Sequence, residues 1–96
     1  MHISVIGKRW KVVFGHVKPD SLGLCDPYDQ PRKQITISTK LAKSGKDLML
    51  METALHEILH AACWSLDEEY VEGYAHAAAR ALYRLGFRRN VDESEL

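Results

Sequence analysis

The stretch "DLMLMETALHEILHAACWSLDEEYVEG" (47–73) decides how this chain is read. Leu48, Met51, Leu55, Ile58, Leu59 and Ala62 recur at steps of three and four, the period of an amphipathic helix. Ser44 or Asp47 is placed to cap its N-terminus. The run breaks at "WSL". Asp67 can then cap a second helix, with Glu68 and Glu69 in the first turn, where carboxylates oppose the helix dipole. Val71, Ala75, Ala78, Leu82 and Leu85 form its apolar stripe, and Gly86 is a natural stop. These two helices form a hairpin across a short turn.

Upstream of the hairpin the period changes to that of strands. "HISVI" (2–6) and "WKVVFGHV" (10–17) are rich in β-branched and aromatic residues, and "GKR" between them suits a turn. "KPDSLGLCDPYDQPRK" (18–33) gathers prolines, glycines and aspartates and reads as a loop. "QITIST" (34–39) alternates as a half-buried strand does, and "KLAKSGK" reads as a polar connection. The fold class expected is α+β: a small antiparallel sheet in the N-terminal half, packed on a two-helix hairpin. Residues 1–89 are expected to form a single domain and residues 90–96 a flexible acidic tail.

Composition narrows the function. Thirteen basic and thirteen acidic residues cancel, which weighs against a dedicated nucleic-acid binder. Lys8, Arg9 and Lys11 around Trp10 read as a solvated hairpin end. No apolar run is long enough to span a membrane, and the N-terminus lacks the pattern of a secretory signal. Cys25 and Cys63 are far apart, with no C-x-x-C pattern, as expected of free thiols in a reducing cytoplasm.

On a helical wheel, Glu52, Thr53, His56, Glu57 and His60 make one polar stripe, and no lysine or arginine occurs from Asp47 to Leu66. A solvated face would carry some, so the stripe reads as the floor of a cleft. His56 and His60, four residues apart, have Cβ atoms roughly 6 Å from each other and can aim two ring nitrogens at one ion. Glu57, about 100° round the helix, is too far for a comfortable third ligand but close enough to hydrogen-bond a metal-bound water. That is the chemical content of H-E-x-x-H: two histidines hold Zn²⁺, the metal acidifies water, and the glutamate takes its proton. With five His and seven Glu in the chain, a random order gives this pattern about 0.02 times.

A catalytic zinc needs a third protein ligand. For helices running antiparallel across "CWSLD", the residue level with His60 falls near position 72. Glu72 is therefore the first choice, with Glu69 and Glu68 as alternatives. His76, one turn beyond Glu72, is a candidate transition-state stabiliser. Tyr74 is read as a packing residue, Cys63 as a small buried hydrophobe, and Cys25 as a loop thiol that could reach the metal. The strand "ITIST" could border the cleft and accept an extended peptide.

"ALHEILHAACW" followed by "DEEYVEGYAHAAARALYRLGF" resembles the minimal zincin-like metallopeptidase domains of phage and bacterial genomes, in the style of the SprT-like and ImmA-like families. "EGYA" is similar to the glutamate segment of gluzincins. The likeness covers residues 47–87, with a weaker echo in "GLCDPYDQPRKQITIS". It implies His56 and His60 as zinc ligands, Glu57 as general base, and a glutamate of the next helix as third ligand. The gap from His60 to Glu72 is shorter than in full-size gluzincins. The function expected is zinc-dependent hydrolysis of a peptide or protein substrate, with a partner protein or second copy completing so small a cleft. The competing expectation is a non-catalytic zinc-stabilised module that binds a regulatory partner, since metal binding can supply folding free energy to a small domain.

Overall fold

A computed structural model describes residues 1–90. Four strands come first: β1 (His2–Val5), β2 (Lys8–Gly15), β3 (Gly23–Cys25) and β4 (Gln34–Ser38). Three helices follow: α1 (Thr39–Lys43), α2 (Asp47–Ala62) and α3 (Glu68–Arg84). The chain is α+β as expected, and the expected tail lies, apart from Asn90, outside the described residues.

The sheet order is β1-β2-β4-β3. β1 pairs antiparallel with β2 through the turn at Ile6 and Gly7, both with positive φ, the conformation whose twist suits a two-residue hairpin. β2 and β4 run parallel, with Val12 opposite Ile35 and Phe14 opposite Ile37. β3 then pairs antiparallel with β4 on its far side. The sheet is thus mixed, not wholly antiparallel. The segment read as a loop carries β3, a strand of three residues, too short to show a period. Its ends are tied by Ser38 N–H donating to the Leu22 carbonyl at 2.9 Å and Asp26 N–H to the Gln34 carbonyl at 3.0 Å. Asp26 also accepts two hydrogen bonds from the Arg32 guanidinium, at 2.8 and 3.0 Å, closing the loop between β3 and β4. With neighbours on both sides, β4 has no free edge for an added strand. Only β1 and β3 do.

The connection read as polar contains α1, capped by Ser38, whose Oγ accepts from Leu41 N–H at 3.3 Å. The α2 N-cap falls on Lys46, without a side-chain capping bond, rather than on Ser44 or Asp47. Asp67 caps α3 as expected, accepting from Glu69 N–H at 2.9 Å. Gly86, at φ 97°, ends that helix; its N–H reaches the Tyr83 carbonyl and Phe87 N–H reaches the Leu82 carbonyl.

Trp10, Ile35, Ile37, Leu41 and Leu50 make the core between sheet and α2. Among the described strands and helices, α3 packs against α2 alone. It does so through Val71, Ala75 and Ala79, all at 0% exposure, whose small side chains let the helix axes come close. The molecule is therefore three layers deep: sheet, α2, α3. The middle position of α2 explains its lack of lysine and arginine. Leu85, expected in the stripe, lies past the helix end and is exposed.

Candidate metal centre

The site is assembled by the tight turn between α2 and α3. His60 and Glu68 stand four residues either side of Trp64, and Glu52 and His76 stand twelve either side; both pairs are in contact. The residue level with His60 is thus Glu68. The connection is Cys63–Asp67, the expected "CWSLD", but the helices pair about Trp64, so the residue facing His60 comes one turn of α3 earlier than position 72.

His56 Nε2 and His60 Nε2 lie 3.1 Å apart. Glu68 meets both, Oε1 at 2.8 Å from His56 Nε2 and Oε2 at 3.1 Å from His60 Nε2. Hydrogen bonds alone satisfy this triangle badly. If both nitrogens carry protons to the carboxylate, two N–H groups crowd each other; if one is bare, it faces a carboxylate with nothing to donate. One divalent cation between them removes the conflict. A tetrahedral zinc with bonds of about 2.0–2.1 Å separates its ligand atoms by about 3.3 Å, close to the spacings here. The donor set, two imidazoles and one carboxylate, is that of a catalytic zinc with a position left for water. The residues present fit the group.

Glu57 lies beside this triangle. Ligand atoms of His56, Glu57 and His60 all fall within 4.8 Å of one another. Glu57 is a buried residue, at 6% exposure, yet its carboxylate has no hydrogen-bond or ion-pair partner among the described residues. Burial pushes its carboxyl above the ordinary carboxylate range; the nearby His56 pulls it down, and Glu68 pushes it up. Gly23 of β3 is what admits it. A Cβ at that position would come within 2.9 Å of both Glu57 Oε2 and Thr53 Cγ2. The backbone of an edge strand therefore lies directly against the carboxylate.

Two cavities open from this point. The larger, about 540 Å³, is lined by His56, Glu57, Glu72, His76, Glu52 and Asp20 among others. The other, about 440 Å³, is bounded by His56, Glu57, His60, Glu68, Trp64 and Leu24 among others. Trp64 stands against His60, ring centroids 5.8 Å apart.

Each residue singled out from the sequence has a definite place. His56, Glu57 and His60 come together. Glu68, the last of the three glutamates in order of preference, is the one touching both imidazoles. Glu72 lines the larger cavity and makes no ion pair with either histidine. Glu69 is exposed in the first turn of α3. His76 also lines the larger cavity, its Nδ1 3.2 Å from Glu52 Oε1, which Arg80 Nη1 holds at 2.6 Å. Cys25 is buried, its Sγ 3.4 Å from the Asp26 carbonyl; burial, then the Glu57 and Asp26 carboxylates, push its thiol up to about 12. That disfavours the thiolate a metal would need. Cys63 is exposed, correcting its reading as a buried hydrophobe, and Tyr74 is exposed rather than packed. Gly23 and the Glu52–Arg80 pair escaped the sequence reading. Nothing in "SLGLC" announces which glycine a glutamate 34 positions later will lie against.

No family model, no curated protein and no solved structure matches the chain.

Proposed function

We propose that the chain is a zinc-dependent metallopeptidase in which His56, His60 and Glu68 hold the metal and Glu57 is the general base. The convergence of two Nε2 atoms and one carboxylate within 3.1 Å, beside a buried glutamate that nothing else engages, carries this reading. Bound there, zinc supplies Lewis acidity, lowering the pKa of its water and polarising a peptide carbonyl. The remaining work falls to the chain. Glu57 has the raised proton affinity of a group that takes a proton from water and returns it to the leaving nitrogen. Gly23 keeps the space that carboxylate needs. β3, with one edge unpaired beside the site, offers main-chain groups that can align an extended substrate.

The substrate is then a peptide or protein, reached in the cytoplasm, where the two unpaired thiols remain reduced. No helix among the described residues is long and apolar enough to cross a membrane. A non-catalytic metal-stabilised module needs neither the open side of the site nor an unengaged Glu57. Glu57→Gln distinguishes the two. The variant retains zinc at the wild-type level by elemental analysis and loses about 10²–10⁴-fold in peptide hydrolysis, the usual weight of a general base. Wild-type turnover in Glu57→Gln contradicts the assignment of the base.

A further inference from the structure

The larger cavity has a charge pattern that the metal and the general base do not account for. Asp20 from the loop before β3, Glu52 and Glu57 from α2, and Glu72 from α3 all line it, and no lysine or arginine does. Arg80 engages Glu52 from outside the lining. Asp20 and Glu72 have no ion-pair partner among the described residues. Independently of these surface carboxylates, Glu57 is more than nine-tenths buried, unpartnered, and opens into the same space. Three elements thus aim negative charge into a cavity of about 540 Å³ that begins at His56. The adjoining cavity shares Glu57 and has Glu68 at the metal triangle, but Leu24, Trp64 and Leu66 make up much of its remaining wall. Beyond the shared Glu57, the larger cavity has the carboxylates of Asp20, Glu52 and Glu72, whereas the adjoining one has Glu68 alone.

We infer that this cavity is a specificity subsite for a positively charged group of the peptide substrate, seated between Asp20 and Glu72. The inference rests on the peptidase reading and adds its substrate class. Lysine and arginine side chains and a free amino terminus share the required chemistry. An ammonium or guanidinium there forms charge-assisted hydrogen bonds with two carboxylates that otherwise face only solvent. An acidic side chain in the same place meets like charge from three elements. Glu72 is thereby a specificity residue rather than a metal ligand, and the spacing of four between Glu68 and Glu72 gives each one turn of α3 and a separate task.

The test uses acetylated, amidated alanine-rich octapeptides carrying a single Lys, Arg, Gln or Glu scanned through each position, with an unacetylated all-alanine octapeptide beside them. The zinc-loaded protein and its Glu72→Gln and Glu72→Lys variants are compared for kcat/KM and for bound zinc. At one position Lys or Arg is expected to raise kcat/KM about tenfold or more over Gln, and Glu to lower it. Glu72→Gln reduces this preference and Glu72→Lys abolishes or inverts it, both with zinc content unchanged. Preference confined to the unacetylated peptide identifies the terminus as the cation. Equal kcat/KM for Lys, Gln and Glu peptides at every position overturns the inference while leaving the peptidase intact, and loss of zinc in both Glu72 variants overturns it by making Glu72 a ligand. If no peptide is hydrolysed, the peptidase reading fails instead. Fluorescence anisotropy of the same peptides, labelled, then decides the subsite alone: tighter binding of the Lys peptide, abolished in Glu72→Lys, sustains it, and equal binding of Lys and Glu peptides overturns it.

Discussion

At the scale of single residues, the chemistry of the site depends on atoms with no slack around them. Gly23 is the sharpest case. A methyl group there would sit 2.9 Å from Glu57 Oε2 and from Thr53 Cγ2, so either β3 withdraws or the glutamate turns away. Gly23→Ala is therefore expected to retain the metal, lose hydrolysis by about the factor that removing the base costs, and destabilise the fold by about 1–3 kcal/mol. Metal content, turnover and a denaturant midpoint measured on one preparation check all three. The cysteines give a second test. A raised pKa keeps a thiol protonated at every pH below it, so Cys25, at about 12, has almost no thiolate at pH 8. Cys63 is exposed and its thiol is accessible. Iodoacetamide on the folded protein at pH 8 is expected to modify Cys63 and spare Cys25, and peptide mass mapping reads the result. The motif itself was legible in the sequence because its spacing is local: one helical turn fixes His56 against His60 whatever the rest of the chain does. Gly23 was illegible because its role is defined by a contact between distant segments.

At the scale of elements, long periodic segments declared themselves and short ones did not. The two long helices carry enough turns for a stripe to show, and Asp67 at the head of α3 is a cap with a mechanism. β3 has three residues and α1 has five, fewer than their periods need to be recognised. Parallel pairing of β2 with β4 leaves no mark in either strand, since both alternate as half-buried strands in any sheet do. That Glu68, the last glutamate in the order of preference, is the one touching both imidazoles has a related reason. Which glutamate faces His60 depends on how tightly residues 63–66 turn, and no periodicity encodes that. One element-scale consequence follows from Glu68 standing next to the cap. Asp67→Ala removes the acceptor for Glu69 N–H and is expected to cost about 1 kcal/mol of stability. It also frays the turn that presents Glu68, so zinc affinity falls as well. A competition titration against a chromogenic chelator measures the second effect, and an unchanged affinity would show that Glu68 does not depend on the cap.

Across the whole molecule, a metal held at the proposed centre would fasten two layers together. The third layer, α3, touches no other described strand or helix than α2, and its fully buried residues are one valine and two alanines. An ion shared by His56 and His60 of α2 and Glu68 of α3 would join the two layers at the end where they meet. A ligand at 100 times its dissociation constant stabilises the folded state by about 2.7 kcal/mol, or about 10–20 °C in melting midpoint for a domain of this size. Chelation is expected to lower the midpoint of the wild type by that order and to leave Glu68→Ala nearly unmoved. Convergence of two imidazoles and the Glu68 carboxylate on one zinc can be read from zinc K-edge X-ray absorption on desalted, zinc-loaded protein. One equivalent of zinc with two imidazole nitrogens and oxygen ligands at about 2.0–2.2 Å, reduced by one oxygen-donor residue in Glu68→Ala and unaltered in Glu72→Gln, is the predicted result. Protein that retains no stoichiometric metal, or a zinc shell that Glu68→Ala leaves unchanged, would contradict it.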